Sequence, residues 1–439
     1  MKAVAGLRVR SIVGLALLCG LMLAPAAGAQ ELPFRRAIEL ALQHSGTMAM
    51  ANADQLRARE GVQEARDLFF PQLTVGSGLA WTYGFPLSIE GSAPSIVNVN
   101  TQSMIFNAAQ HEFIRAAQQA WRASTFSTKD RRNAVLLETA ETYAELDNLQ
   151  STLSILTQQQ QAAQKAEQIV SDRVHEGVDS EIELTRAKLA VAKVAVNIAQ
   201  SQGAADLLRA RLGQLTGLPP DSIRTMAESI PKLPEVNQDS DLASLAVQTS
   251  PAVRQASEEA ESKRFRAKGE HKMSYPAIDF VAQYGLFSKA NNFQDFFVRF
   301  QRNNATVGAA IRVPIFNLSG KAHAAAADAE ALAARKQAEA VKDDISNQTL
   351  KLQRSVRQLA AAKEVARLEH ELAQADVESA QAQIQAGKAS LKDAETAQIK
   401  AQESYIAYLQ ASITLDKAQM ELLRATNDLQ QWALPGSSE

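Results

Sequence analysis

Six histidines, His44, His111, His175, His271, His323 and His370, are the side chains best suited to hold a metal or move a proton, but they are scattered without metal-ligand spacing. The chain's one cysteine is Cys19. No nucleophile motif, phosphate-cradling loop or pair of catalytic carboxylates stands out. The expectation is a protein that is not an enzyme and uses no metal and no cofactor. The spacing that does recur belongs to two glycines: Gly177 and Gly387 are each followed three residues later by a serine, Ser180 and Ser390. Glycine lets a chain turn back where other residues resist, so the chemistry here is that of a turn.

The stretches around these turns are helical. Residues 321–434 contain no proline and one glycine, Gly387, and are rich in alanine, glutamine, glutamate, lysine and leucine. They predict one hairpin, outward along residues 317–386 and back along 388–432. At 1.5 Å per residue the outward arm is roughly 105 Å. Residues 107–218 repeat the design, with no proline and Gly177 as their first glycine. Ile105-Phe106-Asn107 and Ile315-Phe316-Asn317 are offset by 210, as are the two glycines. Upstream, Leu40 through Pro71 aligns with Leu245 through Pro276 at an offset of 205. The chain is a duplication.

Residues 1–29 read as a secretory signal peptide: Lys2, Arg8 and Arg10, an apolar run from Ile12 to Leu23, then Ala27-Gly28-Ala29. Cys19 lies inside it, with the bulky Leu18 before it where a lipoprotein signal wants a small residue. Its removal shifts the formal charge from −2 to −5 and leaves no cysteine. With no basic block, nucleic acid is excluded as a partner. Repeat one is expected over residues 30–217, a proline-rich linker over 218–240, repeat two over 241–432 and a loose tail over 433–439.

Within each repeat the periodicity changes to two after Phe70-Pro71 and Tyr275-Pro276. Leu73, Val75, Ser77, Leu79 and Trp81 alternate with small or polar residues, as do Val97, Val99 and Thr101. In repeat two, Ile278, Phe280, Ala282 and Tyr284 share one face, and Val307, Ala309, Ile311 and Val313 another. Strands are expected at about 73–85, 97–106, 277–287 and 305–316. Alternation of this kind fits a strand between lipid and water, and equally a half-buried sheet of a soluble domain.

Two features demand partners. The helical stripe Leu136, Ala140, Tyr143, Leu146, Leu153 and Leu156 needs a second helix. Four strands cannot close a barrel, and an open edge is not viable in lipid. Several chains sharing one barrel of strands and one of helices would meet both needs. Three chains would supply twelve strands, enough for a hollow tube.

On the duplication, the paired Gly-x-x-Ser turns, Phe70-Pro71, Tyr275-Pro276 and Val313-Pro314-Ile315-Phe316-Asn317, the chain resembles the TolC family of outer-membrane channel proteins over nearly its whole length. The resemblance implies a mainly α fold with a membrane β-barrel. Duplicated coiled-coil hairpins would form a trimeric α-helical barrel beneath a shared twelve-stranded transmembrane barrel. It implies a homotrimer in outer-membrane lipid with a long periplasmic extension. The trimer would pass substrates from an inner-membrane transporter and a periplasmic adaptor to the exterior, in efflux or type I secretion. It makes Gly177, Val178, Ser180, Gly387 and Ser390 the periplasmic tips that meet the adaptor. It also places Asp393 in the channel-entrance constriction. Thr396 stands where a second acid is common, and Ala389 where some members carry an arginine; both depart from the family pattern. The rival readings are a periplasmic adaptor, which normally carries one hairpin per chain, and a soluble periplasmic coiled-coil scaffold, which leaves the alternating segments unexplained.

Overall fold

The structure, a computed structural model, describes residues 30–78, 95–234, 241–288, 301–386 and 391–436. The expected signal peptide, the end of the first strand with its connector to residue 94, most of the second connector, Gly387, Ser390 and the last three residues lie outside them.

In chain order the elements are β1 (Gln30–Glu31), α1 (Phe34–His44), α2 (Gly46–Asp67), β2 (Gln72–Gly78), β3 (Ser95–Asn107), α3 (Ala108–His175), α4 (Glu181–Thr216), β4 (Ile223–Arg224), α5 (Leu242–Thr249), α6 (Pro251–Lys272), β5 (Ala277–Phe287), β6 (Asn303–Arg312), α7 (Leu318–Gln385), α8 (Leu391–Thr426) and α9 (Leu429–Ala433). The two long helices, α3 and α7, are both 68 residues, and their return arms are both 36. Their common start has a physical cause. Asn107 Oδ1 accepts the amides of Ala109 and Gln110 at 3.0 and 3.1 Å, and Asn317 Oδ1 accepts that of Gly320 at 2.8 Å. The asparagine closing each Ile-Phe-Asn string is thus a helix cap. Ser250 caps α6 ahead of Pro251 in the same way, its hydroxyl accepting from Val253 N. At the far end of α4, Gly217 takes a left-handed φ of 76°.

The chain forms two compact units, and each repeat contributes to both. The sheet unit comprises Thr47–Arg132 and Asp241–Leu350; the core unit comprises Met1–Gly46, Asn133–Ser240 and Lys351–Glu439.

In the sheet unit four antiparallel strands lie in the order β2-β3-β5-β6, leaving β2 and β6 as open edges among the described residues. β6 stops at Arg312, short of the expected 316, because Pro314 offers no ladder donor. The register sorts the side chains by polarity. Val75, Val99, Tyr284 and Ala305 line up across the sheet, as do Leu73, Thr101, Ala282 and Val307. The opposite face carries Thr74, Asn100, Gln283 and Thr306, then Asn98 and Asn304. Leu73, Val75, Val307 and Ile311 are among the most exposed large apolar residues of the chain. The helices of this unit lie α2, α3, α6, α7. Gln110 Nε2 donates to Ala65 O, Ser262 Oγ to Ala116 O, and Lys263 Nζ pairs with Glu330. Gly269 sits so close to Phe113 that a Cβ would stand 2.5 Å from the ring, which fixes glycine there.

In the core unit the stripe on α3 is covered within the chain. Leu136, Ala140, Tyr143 and Leu146 are fully buried with Phe34, Ile38, Leu212, Ile223, Met420 and Leu429. The partner expected from another chain is thus supplied here by α1, α4, α8 and the linker. Tyr143 is its polar centre: its hydroxyl donates to Leu32 O at 2.7 Å and accepts from Met226 N at 2.8 Å. The Phe34 ring meets Tyr143 and Trp432 edge-on, each at 5.4 Å. Beside them β1 and β4 form a short parallel pair, Gln30 to Ile223 and Glu31 to Arg224, that the sequence did not announce.

The core unit's helices lie α4, α3, α8, α7. Arg211 bonds Glu138, Lys417 Nζ pairs with Glu145 at 2.6 Å, and Lys400 Nζ with Asp376 at 3.3 Å. The two helices at the ends of this order each keep an uncovered heptad seam. On α4 it runs through Ile182, Thr185, Leu189, Ala192, Val196, Ala199 and Gly203, all exposed. On α7 it runs through Ala361, Val365, Leu368, Leu372, Ala375, Ser379 and Ala382, again all exposed. Such a/d spacing is what a partner helix requires.

Candidate functional site

The tip of the first hairpin is built from backbone outward. Gly177 takes φ 78°, which reverses the chain at no steric cost. The amides of Gly177 and Val178 then reach back to Val174 O and Arg173 O at 3.0 and 2.8 Å. Ser180 caps α4 by accepting from Glu183 N, and Glu181 and Glu183 fill the first turn, where the helix dipole favours acids. Val178 and Ile182 stand exposed beside them.

An ion pair that the sequence reading missed closes this turn. Arg173 Nε and Nη2 hold the two oxygens of Asp179 at 2.7 and 3.2 Å, a two-point grip that also spans Gly177. The signal was available, since an arginine and an aspartate flank the glycine at short range. At the offset of the duplication the second hairpin has Gln383 and Ala389 in their places, so it cannot form the pair.

Of the expected entrance residues, Asp393 lies in the first turn of α8 and Thr396 one turn further. The side chain of Asp393 falls outside the described residues, as do Gly387 and Ser390. Lys400, on a similar face, is engaged by Asp376 of α7. Glu183, the matching acid of the first hairpin, pairs with Arg186 at 2.6 Å. The histidines take unrelated partners: His271 meets Asp328 at 2.9 Å and His370 meets Ser404 at 3.2 Å. Among the described residues no group of His, Cys, Asp and Glu is placed to hold a metal ion, and no helix is long and apolar enough to cross a membrane.

Residues 37–218 match the family described as outer membrane efflux protein. No curated protein sequence matches the chain. Among solved structures it is similar to the outer membrane channel CmeC of Campylobacter jejuni, with TM-score 0.74 and 14% identity over 90% of this chain and 86% of that one. It is also similar to the outer membrane protein VceC of Vibrio cholerae, with TM-score 0.69 and 20% identity over 89% and 95%. A third likeness is the MtrE outer membrane channel of Neisseria gonorrhoeae in its open state, with TM-score 0.68 and 17% identity over 91% and 90%. At these identities what the structures share with the chain is the fold.

Proposed function

We propose that the chain belongs to the outer membrane efflux protein family and that three copies form an exit duct in the outer membrane, with a long periplasmic extension. The observation that carries this reading is the four-stranded sheet, apolar on one face, polar on the other and, among the described residues, unpaired at both edges. An edge strand exposed to lipid leaves its backbone groups unsatisfied, at several kcal/mol each, so the sheet must continue into another copy. Twelve strands from three copies put the apolar face to lipid and the polar face around water. The seams on α4 and α7 support a matching closure of helices from several copies.

Substrates pass without covalent chemistry, in efflux or type I secretion. An inner-membrane transporter supplies the energy, and a periplasmic adaptor meets the tips at Gly177, Val178, Ser180, Gly387 and Ser390. Asp393, repeated three times around the axis and followed by Thr396, narrows the entrance. A ring of like charges in a narrow lumen attracts cations. Reconstituted in planar bilayers at low ionic strength, the protein should give open-channel currents that favour cations. Asp393→Ala should reduce that preference, whereas Glu183→Ala, whose carboxylate is held by Arg186, should not. Equal effects of the two substitutions would remove Asp393 from the entrance. Release of the protein from membranes without detergent, together with no conductance, would overturn the duct.

A further inference from the structure

A cavity of about 520 Å³ lies between α2 and α3 in the sheet unit, lined by Arg59, Glu60, Arg66, Gln118, Trp121 and Arg122 among others. Three guanidinium groups share it with one carboxylate. Among the described residues, the side chains of Arg59, Arg66 and Arg122 have no hydrogen-bond or ion-pair partner. Surface arginines are often merely solvated, and the duplication supplies the comparison that separates a site from such a surface.

At the offsets of 205 and 210, the equivalent groove of repeat two runs between α6 and α7. There every matching cation is satisfied. His271 stands for Arg66 and Asp328 for Gln118, and those two side chains meet at 2.9 Å. Arg264 stands for Arg59 and is paired with Glu261. Phe265 replaces Glu60, and Arg264 and Lys268 lie over its ring at 5.1 and 5.3 Å. Ala331 and Leu332 replace Trp121 and Arg122. One copy of the groove has neutralised itself; the other has kept three free cations and added an indole with more than a third of its surface open.

We propose that the repeat-one cavity binds an aromatic anion, its acid group among Arg59, Arg66 and Arg122 and its ring against Trp121. Arginine forks match the oxygens of a carboxylate or phosphate, and an exposed indole offers a flat apolar face. The cavity is lined by two helices of one chain, so it does not depend on the duct reading, and binding can be measured without transport.

The experiment is calorimetric titration of the full-length protein in detergent with phenyl phosphate, using inorganic phosphate and phenol as its two halves. Phenyl phosphate should bind once per chain and roughly tenfold or more tighter than either half. Arg66→Gln and Arg122→Gln should each weaken it by about tenfold. Gln118→Asp restores the carboxylate of repeat two and should weaken binding as much as losing an arginine. His271→Gln, in the self-neutralised groove, should leave it unchanged. Absence of saturable binding to the unaltered protein would overturn the site. So would equal affinity for inorganic phosphate, or an equal loss on His271→Gln.

Discussion

Glu141 shows how much a single position can depend on its surroundings. It sits on α3 in the core unit, partly buried, with Oε1 lacking a partner among the described residues. Burial, reinforced by the charge of Glu421, pushes its carboxyl up to about 7, against the pull of Lys417 and Arg424. Glu145, one turn along α3, adds to the rise. Lys417 is already held by Glu145. Because the folded value lies above the unfolded one, the native state binds the extra proton between them. Stability from this group is therefore fully present below about pH 4.5 and is lost as pH rises through about 7. Thermal unfolding between pH 5 and 8 should show a loss of about 1–2 kcal/mol, discounted for partial exposure. Glu141→Gln should flatten that slope and be the more stable protein at pH 8. An unchanged slope in the variant would assign the loss to other groups. Nothing in the sequence marked this residue. Glu141 and Glu145 look like a solvated helix face until Glu421, nearly three hundred positions away, is packed against them.

Among elements, the two hairpin tips differ more than their shared Gly-x-x-Ser implies. The first is fastened by Arg173 and Asp179 across Gly177; the second has Gln383 and Ala389 there. The amides of Val178 and Asp179 both donate to Arg173 O, so loosening the side-chain grip should loosen them too. In hydrogen-exchange mass spectrometry, Arg173→Ala should speed exchange at residues 177–180 by roughly tenfold, with the helices of α3 and α4 unaffected beyond one turn. Transplanting the pair, Gln383→Arg with Ala389→Asp, should slow exchange at the second tip. If Arg173→Ala leaves the first tip unchanged, the backbone bonds alone set its stability. The long helices and the first turn, at Gly177, were legible because proline is absent from long runs and glycine is rare in them. The repeated Ile-Phe-Asn string gave the start of both long helices, and its asparagine proves to be the cap. The ion pair was missed because attention to the glycine left its flanking residues unweighed.

At the scale of the whole molecule, the duplication made the fold readable, since each half corroborated the other. What it concealed was the source of the hydrophobic core. The stripe from Leu136 to Leu146 resembled an interface, yet its partners come from the same chain, drawn from regions far apart in sequence. In the proposed trimer the surfaces offered to other copies are the seams on α4 and α7, at opposite ends of the helix order. A contact between the α4 seam of one copy and the α7 seam of the next is head-to-tail, and a rotation of one third of a turn per copy closes it into a ring of three. Leu368→Lys puts a charge in the middle of the α7 seam, where Leu368 is exposed in the single chain. Burying that charge without a partner would cost several kcal/mol. Native mass spectrometry should show trimer for the unaltered protein and markedly less for Leu368→Lys. A substitution at Arg357, elsewhere on α7, should have little effect. Equal trimer content in the Leu368 variant would move the interface off this seam.

The core around Tyr143 also dictates an order of events in time. Leu32 and Phe34 come from the start of the described chain, Ile223 and Met226 from its middle, and Leu429 and Leu434 from its end. During synthesis the first of these emerges long before the last, and contacts this distant in sequence form slowly. Until Leu434 has been delivered the centre of the core unit has no complete wall, and Phe34, Ile38 and Tyr143 stay uncovered. A chain in that condition needs holding rather than folding: sticky at its leading end, it must be kept from aggregating until the trailing end arrives.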